Sequence, residues 1–255
     1  MDEDATARYE RERAFHDERY RDDEARAKAE KFYEAGDVSS ERYRALLGGV
    51  VPDSRVLEYG CGKGSAAFDL AAHGSDVTGI DISPVAIAAA TKEAADRGLT
   101  ARLAFKEMNA EALDLPSDSF DVVCGSGVLH HLDLTRALPE VARVLRPGGW
   151  AVFVEPLGHN PLINAYRRRT PEMRTADEHP LRMEDFVLAR QHFETVEVEH
   201  FNLLTIASVP LRRLGVHAVL QKTLQRADQR LFRAIRPLRR YAWVAVVRLA
   251  RPQPT

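Results

Sequence analysis

Through the middle of the chain, short apolar runs bounded by turn residues alternate with stretches whose apolar positions recur at helical spacing. Runs that are continuous rather than alternating belong to strands buried on both faces, as in a parallel sheet covered by helices. They predict strands over 55–59, 76–80, 101–106, 120–125 and 149–155. Ser83 and Pro84 supply an N-cap and a first-turn proline for a helix reaching about Arg97. Asp133 caps a second helix that must close before Pro147-Gly148-Gly149, and Pro139 either kinks it or marks a later start. Beyond residue 156 the pattern changes: Met183 to Phe193 reads as a helix, Thr195 to Phe201 as a strand and Tyr241 to Leu249 as a final strand. At the other end, Arg/Glu pairs at helical spacing predict a helix over Ala5 to Tyr33, either a solvated helix or a cap over a site.

The 255 residues suffice for one sizeable core, and no Gly/Ser-rich or Pro-rich linker divides them. Met1-Asp2-Glu3-Asp4 has neither a positive n-region nor an apolar h-region. The longest unbroken apolar run, Tyr241 to Val247, is too short to cross a bilayer, so the expectation is a cytoplasmic protein. Cys61 and Cys124 have no metal-ligand spacing and cannot build a disulfide framework, which fits a reducing compartment. A net charge of −2 conceals an asymmetry. Residues 1–35 carry twelve acids against eight Lys/Arg, and residues 210–255 carry eleven Lys/Arg against the single acid Asp228. Arginines interleaved with Leu, Phe and Ile suit a phosphate-bearing substrate or an anionic membrane surface, and equally a solvated helix.

The chemistry concentrates in Val56-Leu57-Glu58-Tyr59-Gly60-Cys61-Gly62-Lys63-Gly64 and in Val77-Thr78-Gly79-Ile80-Asp81-Ile82-Ser83. An apolar strand runs into a glycine-rich turn where backbone can approach a ligand, and Asp81 ends the next strand, placed to accept both hydroxyls of a ribose. The glycine pattern is G-x-G-x-G, with Ser65 where a dinucleotide fingerprint needs its third glycine, which points away from NAD.

With four further blocks in order, the chain resembles the class I, Rossmann-like S-adenosylmethionine-dependent methyltransferases of small-molecule type. Those blocks are Met108 to Pro116, Ser119 to Val123, Val128-Leu129-His130-His131-Leu132 and Val144 to Gly149, and the likeness covers roughly residues 50 to 156. The resemblance implies an α/β fold: a doubly wound, mainly parallel seven-stranded sheet with an antiparallel edge strand, a helical N-terminal cap and a helical insertion before the last strand. The expected division is a cap over 1–48 and a methyltransferase domain over 49–255, with substrate-recognition segments at 157–181 and 202–240.

S-adenosyl-L-methionine is the implied cofactor. By resemblance Gly60, Gly62 and Gly64 pass under its methionine part, and Glu58 orders the turn or reaches the ammonium through water. Asp81, with Ile82 beside it, binds the ribose. Asn109 and Ala110 match adenine-contacting positions, and Ser126 ends the fourth strand at the same side. The alternative for Glu58 is a plain helix cap, and Cys61 reads as a small turn filler rather than a nucleophile.

Methyl transfer is a direct displacement that requires alignment, exclusion of water and, for a hydroxyl acceptor, removal of a proton. His131 is the first choice of base, with His159 and Glu155 as the other catalytic candidates. No metal is expected; the alternative is a single-ion site built from Glu155, His159, Asp177 and His179. The expected reaction is O-methylation of a natural product, glycosyl unit or lipid-type acceptor, anionic or lipid-linked acceptors included, with peripheral membrane contact through the basic C-terminal region. Alternatives are a nucleic-acid methyltransferase or a catalytically silent S-adenosylmethionine-binding subunit. No nucleic acid is expected as partner, because Cys124-Gly125-Ser126-Gly127-Val128 lacks the Asn/Asp-Pro-Pro-aromatic motif that holds a flipped base.

Overall fold

A computed structural model describes residues 3–21, 37–211 and 217–253. Two helices, α1 (Glu3–Arg21) and α2 (Asp37–Leu47), precede the first strand. Seven strands then build one sheet: β1 (Arg55–Tyr59), β2 (Asp76–Asp81), β3 (Leu103–Glu107), β4 (Phe120–Ser126), β5 (Leu145–Pro156), β6 (Phe193–Phe201) and β7 (Val244–Pro252). Their order is β3-β2-β1-β4-β5-β7-β6. The first five strands pair in parallel, and β7 runs antiparallel to both of its neighbours. This is the mainly parallel Rossmann-like sheet expected, with the antiparallel pairings gathered at one edge.

Continuous apolar runs suit these strands because alternate residues enter different cores. Leu57, Val123, Phe153 and Val247 pack on one side of the sheet, and Val56, Val122, Val152 and Val246 on the other. Between strands lie α3 (Ala66–Ala72), α4 (Pro84–Asp96) and α5 (Leu134–Val144). Ser83 caps α4 by accepting from the Ala86 N–H, with Pro84 in the first turn, and Asp133 caps α5 by accepting from the Thr135 N–H. Pro139 lies inside α5 without ending it; Leu134, Leu138, Val141 and Val144 bury one face of that helix and hold it in place.

Several boundaries differ from the sequence expectation. β5 starts at Leu145, not at 149, because Leu145 pairs with Phe120 and Trp150 with Val122, leaving an irregular bulge between them. The helix predicted from Met183 stops early, as α7 (Met183–Ala189), after α6 (Pro161–Arg169), and the chain turns into β6 at Phe193. The last strand starts at Val244 because Arg236–Tyr241 closes a 3-10 turn, whose proline suits a first-turn position. The predicted N-terminal helix is seen as α1; its remainder to Tyr33 lies outside the described residues.

The insertion before β7 holds α8 (His217–Ala234). Its one acid, Asp228, is buried and accepts from the N–H groups of Leu203, Leu204 and Thr205 and from the Thr205 hydroxyl. That carboxylate ties the helix to the chain leaving β6. Among the described residues no helix is long and apolar enough to cross a membrane.

Candidate active site

β1 leads to β2 on one side of the sheet and β4 lies on its other side, so the order reverses between β1 and β4. The crevice beyond their carboxyl ends is where open α/β sheets bind ligands. A pocket of about 450 Å³ occupies it, lined by the glycine loop, the ends of β2 to β5 and the inner face of α1.

Local chemistry shapes the glycine loop. Gly60 and Gly62 adopt left-handed backbone at φ 58° and 55°, which glycine enters without strain. A Cβ on Gly62 would come 2.6 Å from the Tyr20 hydroxyl of α1, so the bare backbone also lets that helix close down. Glu58, only 1% exposed, turns back under the loop. Its Oε1 accepts from the Ala66 N–H at 2.9 Å and from the Ser65 hydroxyl, and its Oε2 accepts from the Ala67 N–H at 3.0 Å. Glu58 therefore caps α3 in place of Ser65, whose side chain makes no cap bond. Burial pushes its pKa up, and these donors work against that shift.

Asp81 ends β2 with one oxygen accepting from Gly62 N–H at 2.8 Å and the other from Ser83 N–H at 2.9 Å. It is buried yet lines the pocket, so each oxygen keeps a further lone pair for a ligand. Burial raises its pKa, opposed by those two backbone donors. Ile82, Asn109, Ala110, Ser126 and Gly64 line the same pocket. The Asn109 side-chain oxygen accepts from the Glu111 N–H, closing a turn after β3.

α1 covers the other side, held by side chains far away in sequence. Arg8 donates to both oxygens of Glu111 at 2.6 Å and to the His131 carbonyl, and Arg11 grips Asp177 at 2.9 Å. Arg13 pairs with Glu107, and Asp17 accepts from the Ser83 hydroxyl. Beneath them Glu12 stands 3.1 Å from Nδ1 of His131 and 3.6 Å from Nε2 of His16. Burial alone would raise the Glu12 pKa, but the imidazoles of His131 and His16 outweigh it and hold the carboxyl well below the usual range. Burial and the neighbouring His130 ring push His131 down to about 4.

Residues 57–153 match a family described as a methyltransferase domain. That match covers the first five strands and the glycine loop, the part of the chain that forms the Rossmann-like sheet. Over 42% of this chain and 50% of the relative, it is 41% identical to aklanonic acid methyltransferase DauC of Streptomyces sp. strain C5. The chain spans about half the length of the curated relatives it matches. In fold it resembles phosphoethanolamine N-methyltransferase 2 of Haemonchus contortus, with TM-score 0.61 and 18% identity over 83% of this chain and 52% of that one. It also resembles geranyl diphosphate C-methyltransferase of Streptomyces coelicolor A3(2), with TM-score 0.60 and 15% identity over 85% of this chain and 79% of the other.

The remaining candidates separate. Glu155 is fully buried and accepts from Val128 N–H, Leu129 N–H and Nδ1 of His130, the last at 2.7 Å. It fixes the loop after β4 and so the position of the His130-His131 pair. Burial raises its pKa to about 7 and lowers that of His130 to about 3. His159 lies outside the pocket, where its Nε2 accepts from the Met183 N–H at the start of α7. Asp177 is engaged by Arg11, and His179 donates its backbone N–H to the His130 carbonyl. Among the described residues, Glu155, His159, Asp177 and His179 do not form a ligand cluster. Cys61 and Cys124 are buried free thiols, raised by burial and distant from nucleophilic use.

Of the segment 157–181, Met173, Arg174 and Glu178 reach the pocket; no described residue of 202–240 does. Sequence reasoning gave no role to Glu12, His16 or Glu111. Glu12 and His16 do stand one helical turn apart, but in a helix dense in Arg and Glu that spacing also fits a solvated face.

Proposed function

We propose that the chain transfers a methyl group from S-adenosyl-L-methionine to a small-molecule acceptor, oxygen first among the acceptor atoms. The observation that carries this reading is a single pocket uniting the glycine loop and Asp81 with the Glu12-His16-His131 cluster, beneath one covering helix. The bound cofactor would supply an electrophilic methyl carbon on a positively charged sulfur.

The protein's residues would do the rest. Asp81 accepts the ribose hydroxyls while Gly62 and Ser83 N–H groups keep its carboxylate oriented. The turn closed by Asn109 brings Ala110 to the adenine side. Gly60 and Gly64, where Val128 and Phe68 pack against bare backbone, carry the loop under the methionine part, and Glu58 keeps α3 and the loop in register. α1 excludes water, which favours displacement by the acceptor over hydrolysis. His131 activates the acceptor: its imidazole is neutral near pH 7, so a lone pair is available. Arg19, also at the pocket wall, favours an acceptor carrying an anionic group, whereas Arg174 is engaged by Glu178 and Thr170.

The basic side of α8 supports a second contact. Lys222, Arg226, Arg230 and Arg233 are exposed along one helical stripe, with exposed Val219 and Ile235 at its ends. Such a stripe suits an anionic membrane surface where a lipid-linked acceptor resides. Co-sedimentation with anionic against neutral vesicles, at low and high salt, tests it; equal negligible binding removes it.

The main reading is tested by incubating the chain with methyl-labelled S-adenosylmethionine and a panel of phenolic, glycosidic and prenyl acceptors, with product mass as the readout. A gain of one methyl group on oxygen is expected. Cofactor binding without turnover on any acceptor would leave a silent binding subunit instead.

A further inference from the structure

We infer that Glu12, His16 and His131 form a binding site for one divalent transition-metal ion, through which His131 activates the acceptor as a ligand rather than as a free base. What the ion would do rests on the methyltransferase reading; whether it binds does not.

Three observations lead there. The donor set is two imidazoles and one carboxylate, and one donor atom from each lies within 4.8 Å of the others. Glu12 stands 3.1 Å from His131 and 3.6 Å from His16. Ligands bound at about 2.1 Å to one ion, at angles near 100°, lie roughly 3.2 Å apart, so only small rotations are needed.

The second observation is what these groups lack. Both Glu12 oxygens and Nδ1 of His131 are shut off from solvent, and none completes a hydrogen bond of good geometry despite the short contacts. Buried polar atoms in this state are rare and ask for a missing partner. A cation held between lone pairs supplies one to all three at once.

The third observation is location. All three residues line the pocket that contains Asp81, so an ion there would adjoin the space an acceptor enters. An acceptor hydroxyl bound to the ion loses its proton to solvent more readily. The resulting alkoxide oxygen forms the new bond to the methyl carbon as the carbon–sulfur bond breaks; its negative charge and the sulfonium's positive charge cancel, leaving an ether and a thioether. Imidazole-rich sites favour zinc, nickel or cobalt, whereas magnesium and calcium prefer all-oxygen ligands. Because α1 supplies two ligands and the loop after β4 the third, the ion would also fasten the helix over the pocket.

The test uses the full chain without a histidine tag, stripped of metal and titrated with Co²⁺ under visible absorption, with Zn²⁺ bound at equilibrium dialysis as a second measure. One ion per chain is expected. Glu12→Gln and His16→Gln should each weaken binding at least tenfold while far-UV circular dichroism stays unchanged, and Zn²⁺ should raise the melting temperature of the parent chain only. If Co²⁺ and Zn²⁺ do not bind stoichiometrically, or bind both variants as tightly as the parent, the site is overturned and His131 acts as a direct base. Calorimetry with S-adenosylhomocysteine alone, on the same preparation, reports the cofactor reading independently.

Discussion

The two walls of the pocket are built in different ways. On the wall formed by the glycine loop, Glu58 reaches Ser65, Ala66 and Ala67, Asp81 reaches Ser83, and the longest of these bonds in sequence spans the 19 residues from Gly62 to Asp81. On the wall formed by α1, Arg8 reaches across 103 residues to Glu111 and 123 to His131, and Arg11 crosses 166 to Asp177. One wall folds from its own neighbourhood, whereas the other exists only once a distant helix has docked. Because closing a long loop adds little free energy beyond a short one, the second wall is feasible, but its residues cannot be placed from local pattern.

That contrast can be broken first at its functional ends. His131→Ala should lower turnover by on the order of a hundredfold to ten-thousandfold while leaving S-adenosylhomocysteine affinity within a few-fold, as steady-state kinetics and calorimetry would report. His159→Ala, outside the pocket, should change turnover a few-fold at most. Asp81→Ala should instead weaken both S-adenosylmethionine and S-adenosylhomocysteine by about a hundredfold or more, through lost charge-assisted hydrogen bonds. Unchanged affinity in that variant would undo the assignment of the local wall.

Stability separates the walls next. Glu58→Ala leaves the Ser65, Ala66 and Ala67 donors without their acceptor and should cost about 2 kcal/mol in urea unfolding, since those groups are buried or partly so. The α1 wall should show itself through pH. With a folded pKa near 4 against an ordinary 6.5, His131 lets the unfolded chain bind a proton that the folded chain refuses, so stability is lost as pH falls through that window. From pH 7 to 5 the contribution is on the order of 2 kcal/mol, and His131→Gln should remove it. Glu155, raised from 4.5 to about 7, has the opposite sign, and Glu155→Gln should therefore steepen the acid limb. Matching pH profiles in the parent and both variants would refute these assignments.

The smallest effect is expected at the rim. Arg11 is half exposed, so Arg11→Ala should cost under about 1 kcal/mol, less still at high salt. A larger loss would mean that α1 depends on this one contact more than on the partly buried pair of Arg8 with Glu111.

The difference between the walls also explains which expectations survived contact with the structure. The strands over 55–59 and 76–80, the Ser83 cap, the glycine turn and Asp81 at the end of the next strand were readable because each rests on the pattern or spacing of near neighbours. Glu58 was left between two roles because a carboxylate before a helix can cap it or face a ligand; only its three donors decide for capping. Among the histidines, His131 stood first by resemblance, and His159 stayed a candidate through its nearness to a strand end. The turn after β5 carries His159 to the start of α7 instead, and Glu155 is drawn inward to hold the loop bearing His131.

By itself, the sequence determined the central strands, the glycine turn and the carboxylate at the end of β2, since strand period and glycine backbone need nothing beyond about twenty residues of chain. Only the tertiary structure decided that α1 lies over the pocket, that Glu12 and His16 meet His131 there, and that α8 sits away from it. The physical reason is that a helix dense in Arg and Glu looks the same in sequence whether water or a buried cluster faces it. Which of its acids loses solvent depends on the surface against which it lands.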